Sequence, residues 1–140
     1  MKQKISIYIG ISVCLFLLAG LALSGKFPPQ FGVVNNPSAK EILEGNPDAD
    51  IIQMGGLVYS NAAEEEWLVE MEYQLGEQIN EIRKQTKQTW FYRNMFATRL
   101  PNGTPIYVPK GIEYNENEPP NIILAKIDEK IMVYKLLVEG

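Results

Sequence analysis

Most enzyme chemistry at neutral pH runs on histidine, on cysteine, or on two carboxylates held at different pKa values. This chain of 140 residues has no histidine, and its one cysteine is Cys14. Histidine-based triads, histidine general bases and most zinc sites are thereby excluded. Cys14 lies inside an apolar run, so there is no disulfide and no thiol nucleophile in the remainder of the chain. Carboxylates are plentiful, 17 in all. A carboxylate-based hydrolase needs two of them across a cleft, about 5–9.5 Å apart, one with a raised pKa. Here they fall on turns and on the solvated faces of predicted helices, and no pair stands out. Asn46, Asp48 and Asp50 alternate as calcium ligands do, but Ile51 and Leu57 occupy the loop positions where an EF-hand needs glycine and glutamate. Ser38 and Ser60 sit at a helix cap and a helix entry, and Gly55-Gly56 lacks the downstream Gly and Lys of a phosphate loop. No catalytic, cofactor-binding or metal-binding residue is assigned, and no cofactor is expected.

Binding chemistry remains. Trp90-Phe91-Tyr92 and Phe96 form the densest aromatic cluster outside the apolar run, with Arg93 and Arg99 nearby. Tryptophan, tyrosine and arginine dominate interface hot spots, so Trp90, Tyr92, Arg93 and Arg99 are the candidate partner contacts. The competing reading is that Trp90, Phe91 and Phe96 fill the core. Exposure of Trp90 and Tyr92 separates the two.

The compartment follows from Ile5 to Ser24, an uncharged stretch of about 20 residues, enough to cross a bilayer as a helix. Lys2 and Lys4 precede it and no base follows until Lys26, which predicts an N-terminus inside the cell and a C-terminal domain outside. The stretch is longer than a usual signal-peptide core, which favours an uncleaved anchor; Ala22 and Ser24 also permit cleavage after Ser24 and secretion. Val13 before Cys14 and the apolar residues after it argue against a lipoprotein. Residues 1–24 are read as anchor or signal segment, 25–37 as a Pro- and Asn-rich linker, and 38–140 as an extracytoplasmic domain. All 17 acidic residues lie beyond residue 25 against 11 of the 13 bases, a net charge of −6 for the external part. Such a domain repels phosphate backbones, so nucleic acid is not an expected partner.

The elements that would position the aromatic segment make an α+β domain, a small, mainly antiparallel sheet with one or two packed helices. Ser38 and Glu41 have capping-box spacing and Gly45 a stop signal, giving a short helix. Ile51-Ile52 and Leu57-Val58-Tyr59 flank Gly55-Gly56, a hairpin pattern. Asn61 to Leu75 reads as the clearest helix, capped by Asn61, with Trp67, Leu68, Met71 and Leu75 as its buried stripe and the glutamates solvated. Gly76 to Lys84 continues that periodicity, at a cost of about 1 kcal/mol for a mid-helix glycine. Ile106-Tyr107-Val108 reads as a strand, Glu113 to Asn121 as a polar loop, and Ile122 to Val138 as a hairpin whose long apolar runs suit a sheet centre.

DADIIQMGGLVYSN, LGEQINEIRKQT, FATRLPNGTPIYVPKG and the final hairpin together resemble a family of small, uncharacterised, membrane-anchored or secreted proteins of Bacillus and related Gram-positive bacteria. The resemblance spans about two thirds of the chain and rests on turns and strands. It implies a strand rather than a helix at Gly76 to Lys84, and it carries no activity or catalytic residues with it. The chain departs from it in the glutamate-rich segment 113–118.

The resulting expectation is a non-enzymatic, membrane-anchored domain that binds a protein or a cell-envelope component. The alternatives are a carboxylate-based cell-wall hydrolase and a small accessory subunit of a membrane complex.

Overall fold

In this computed structural model, residues 36–138 are described. The apolar stretch 5–24 and most of the linker lie outside them. Among the described residues no helix is long and apolar enough to cross a membrane.

Ser38 opens the first helix, α1 (Ala39–Gly45), through the expected capping box. The Ser38 hydroxyl accepts from the Glu41 N–H at 3.3 Å, and a Glu41 carboxylate oxygen accepts from the Ser38 N–H at 2.8 Å. The bonds from Ser38 also hold the Glu41 carboxyl below its ordinary pKa. Ala39 and Leu43, one turn apart, bury against Ile51 and Val58. These belong to β1 (Ile51–Met54) and β2 (Leu57–Asn61), antiparallel with Met54 opposite Leu57. Gly55 and Gly56 between them have φ of 59° and 78°, the left-handed values a two-residue hairpin turn demands.

The remaining strands are β3 (Leu75–Glu81), β4 (Lys84–Gln85), β5 (Phe96–Ala97), β6 (Pro105–Pro109), β7 (Ile122–Ile127) and β8 (Lys130–Leu136). They join β1 and β2 in one sheet of order β3-β6-β7-β8-β2-β1-β5-β4. Every pairing is antiparallel except β4 with β5. The outermost strands, β3 and β4, are two ends of one segment, separated only by Ile82 and Arg83. The Ile82 N–H donates to the Thr104 carbonyl beside β6, while the Arg83 N–H donates to the Met95 carbonyl beside β5. One stretch of chain therefore borders both ends of the sheet, which curls into a half-barrel. Ile82 is 1% exposed at the crossing. Side chains alternate along each strand. Ile52 and Met54, Ile123 and Ala125, and Tyr134 and Leu136 all enter the main core, while Ile51 and Val58 face α1 instead.

The α+β expectation is corrected: the described chain is 39% strand and 11% helix, a curled sheet with two short helices. The main error is the helix predicted from Asn61 to Leu75. Only α2 (Glu66–Val69) is helical, and its cap residue Glu65 makes no side-chain capping bond. Asn61 ends β2 and turns the chain by accepting from the Ala63 N–H at 2.8 Å. The Ala62 N–H is bound to the Val133 carbonyl of β8, and Leu75 already pairs with Pro109 of β6. Sheet pairing claims both ends of the segment, leaving too few residues for a stable helix. Trp67 and Met71 are consequently 60% and 53% exposed, not core, and Leu68 alone of the central stripe is fully buried.

Gly76 lies in β3, not in a helix. A Cβ there would stand 2.8 Å from the Val108 and Pro109 carbonyl oxygens. The glycine marks a close approach of two strands, not a flaw in a helix. The C-terminal hairpin forms as expected, β7 paired with β8 from Ile122–Lys135 to Ile127–Lys130. Ile123, Leu124 and Ala125 are all inaccessible, as befits a strand covered on both faces.

Candidate functional site: an aromatic and basic face

Between β4 and β5 the chain leaves the sheet for one excursion, Thr86 to Met95. Its ends are tied down: the Thr86 N–H donates to the Ala97 carbonyl, and the Met95 N–H donates to the Gln53 carbonyl of β1 at 2.7 Å. Met95 is fully buried despite a positive φ of 62°. For a long side chain that backbone conformation costs about 1–3 kcal/mol and is kept only where the surroundings impose it. Phe91 also has a positive φ, 76°, but sits at the exposed tip.

Trp90 and Phe91 are 68% and 65% exposed. Their rings lie 4.8 Å apart at 47°. The Arg93 guanidinium is 5.9 Å from the Phe91 ring, and the Lys84 ammonium is 5.9 Å from the Phe96 ring. Lys84, Trp90, Phe91, Arg93 and Phe96 line one open groove of about 310 Å³. The ion pairs among the described residues are Lys40–Glu44, Lys87–Asp48 and Lys135–Glu65. Arg83, Lys84 and Arg93 thus pair with no carboxylate there.

Tyr92 and Arg99 turn the other way. Tyr92 packs with the α1 cluster and meets Phe96 edge-on at 5.9 Å. Its hydroxyl is buried without a hydrogen-bond partner among the described residues. Burial, with Asp50 nearby, raises its pKa far above the ordinary phenol value. Arg99 donates to the Asp48 carbonyl at 2.9 Å and lines a second, polar cleft of about 340 Å³ with Asp48, Asp50 and Glu64. Of the four candidate contacts, the structure gathers Trp90 and Arg93 on the groove and places Tyr92 and Arg99 behind it.

The polar cleft is organised around Asp50. One carboxylate oxygen accepts from the Tyr134 hydroxyl at 2.9 Å and the other from the Asn61 amide at 2.7 Å. Thr98, 2% exposed, donates to the Ala49 carbonyl and accepts from the Ile51 N–H. This clasp joins the start of β1 to β2, β8 and the chain after β5. Burial, then the Asp50 charge, raises the Tyr134 pKa, so Tyr134 stays a donor throughout the neutral range. Both Asp50 oxygens are engaged in holding strands together. Asp48, Asp50 and Glu64 do not form a metal-holding group; among the described residues there is none. The Asn46–Asp50 stretch is an Asx turn, the Asp48 N–H donating to Asn46 at 3.1 Å.

Lys84 and Phe91 were not among the contacts read from the sequence, yet a signal for them exists. From Ile82 to Ile112 there are six bases, Arg83, Lys84, Lys87, Arg93, Arg99 and Lys110, and no carboxylate. In an external part of net charge −6 that block marks a face of the opposite sign. Set against family models, curated proteins and solved structures, the chain matches none.

Proposed function

We propose that this chain is a non-enzymatic binding domain, tethered to the membrane by residues 5–24 and held outside the cell. Through the groove of Lys84, Trp90, Phe91 and Arg93 it engages a protein or envelope component with an acidic and apolar surface. The observation carrying this reading is the pair Trp90 and Phe91, both about two thirds exposed, beside cations that have no carboxylate partner among the described residues. Each ring offers a large apolar area at small entropic cost, and desolvated aromatic anchors supply most interface energy. The cations steer an acidic partner in and set its register. The positive φ at Phe91 supports the same reading, since backbone strain tends to persist where function requires a side chain to be held out.

The test is retention of partners from detergent-solubilised membranes on the full-length chain. Trp90→Ala should abolish retention, and Arg93→Ala should weaken it and flatten its salt dependence. Equal retention by both variants and the wild type would overturn the reading. A reporter fused after Gly140 tests the compartment: activity in the cytosol alone would remove the tethered, external placement.

A further inference from the structure

A second groove carries the opposite chemistry. Val69 and Met71, 56% and 53% exposed, line it with Tyr73, Ile131 and Met132, enclosing about 280 Å³. The chain forming its near wall, Asn61 to Tyr73, holds five glutamates and no base. Two lysines come from β8: Lys130 lies on the lining, and Lys135 is paired with Glu65 at 3.1 Å. Glu66, Glu70 and Glu72 are exposed and pair with no base among the described residues. An occupant of this groove should therefore be apolar at its centre and cationic at its edge.

The chain itself presents a surface of that kind. The face of Trp90, Phe91, Arg93 and Lys84 has two exposed aromatics flanked by cations that pair with no carboxylate among the described residues, and it shares no lining residue with the acidic groove. One molecule can offer both surfaces at once. We propose that the acidic groove receives the aromatic-basic face of a second copy, so that molecules associate head to tail. This rests on the reading of that face as a binding surface and names its partner. Trp90 and Phe91 enter between Val69 and Met71, where a flexible thioether adapts to aromatic shapes. Arg93 and Lys84 meet Glu70 and Glu72 at the rim. Because the two surfaces differ, the contact is heterologous and leaves an unfilled groove at one end and an unfilled face at the other.

The experiment measures the mass of the full-length chain in a non-ionic detergent by sedimentation, at low and high salt, for three proteins. Wild type should associate at low salt and dissociate as salt screens the rim charges. A face variant, Lys84→Glu with Arg93→Glu, and a groove variant, Glu70→Lys with Glu72→Lys, should each weaken association by about tenfold or more. All four positions are exposed, so folding should survive, as circular dichroism would verify. Mixing the two variants should restore association, because the basic face of the groove variant meets the acidic groove of the face variant, and the acidic face of the latter meets the basic groove of the former. A wild type that stays monomeric at low salt, or a mixture that stays monomeric, overturns the inference. If the face variant still loses its membrane partner in that case, the binding role of the face survives alone. If the face variant changes neither association nor partner retention, both readings fall.

Discussion

Two of the excursions from the sheet, one between β2 and β3 and one between β4 and β5, each carry a tryptophan into solvent. Trp67 is 60% exposed and Trp90 68%. The difference lies in their roots. The second excursion is bound to β1 and β5 by backbone hydrogen bonds and is held from below by Met95 and Tyr92. The first is held at its ends by the Ala62 N–H and by the Lys110 N–H bound to the Gln74 carbonyl, along its course by the Glu65–Lys135 ion pair, and inside only by Leu68, which is buried but belongs to neither core cluster. Exposed aromatics on a well-rooted loop make a preformed surface, whereas the same residues on a lightly rooted one leave room to adapt. The basic face rests on side chains of both core clusters, the acidic groove on one leucine outside them.

Alkali should break this arrangement most completely. Burial raises the Tyr59 pKa to about 12 and drives those of Tyr92 and Tyr134 higher still, against an ordinary value of 10.0. A phenol whose folded pKa is raised contributes stability that is whole below its unfolded pKa and is lost as pH climbs toward the folded one. The domain should therefore be unaffected up to about pH 10 and should unfold above it. Absorbance of phenolate, followed with circular dichroism, should show these three tyrosines ionising only as the sheet melts. Independent, early ionisation of all three would break the picture of Tyr92 as a buried root.

Smaller but sharper effects come from the anchors. Met95→Ala should cost about 3 kcal/mol, since a confined core cavity cannot collapse. Leu68→Ala should cost about 2 kcal/mol, because the first excursion can settle into the space. Denaturant unfolding measures both, and the reverse order would contradict the contrast in rooting. Next come the hydroxyls. Tyr134→Phe leaves one Asp50 oxygen without its donor and should cost about 1–2 kcal/mol. Tyr92→Phe deletes a buried hydroxyl that has no partner among the described residues and should be neutral or stabilising by up to about 1 kcal/mol. Smallest of all, Trp67→Ala and Trp90→Ala should each change stability by about 0.5 kcal/mol or less. Only Trp90→Ala should empty the pull-down of the external partner.

The segments legible from sequence were those whose signal is local. The Ser38–Glu41 box, the Gly55-Gly56 turn and the C-terminal hairpin each use bonds between near neighbours, and all three form as read. The stretch from Asn61 to Leu75 misled because its 3–4 spacing is also what a loop with one buried leucine can show. Its fate was set by Val133 and Pro109, distant residues that bind its two ends. At the site, residue type pointed to the right stretch, but Trp90 and Tyr92 are two residues apart and face opposite surroundings. No periodicity announces that in a loop bent by positive φ at Phe91 and Met95.

The amino-acid sequence alone determined what chemistry is missing, where charge of each sign is concentrated, and which short turns and caps form. These depend on composition and on neighbours a few residues away. The tertiary structure alone decided that β3 and β4 join the two ends of one sheet, that Gly76 sits where two backbones nearly touch, and which aromatic rings meet solvent. Those outcomes depend on pairings between residues tens of positions apart, whose energies exist only once the chain has closed on itself.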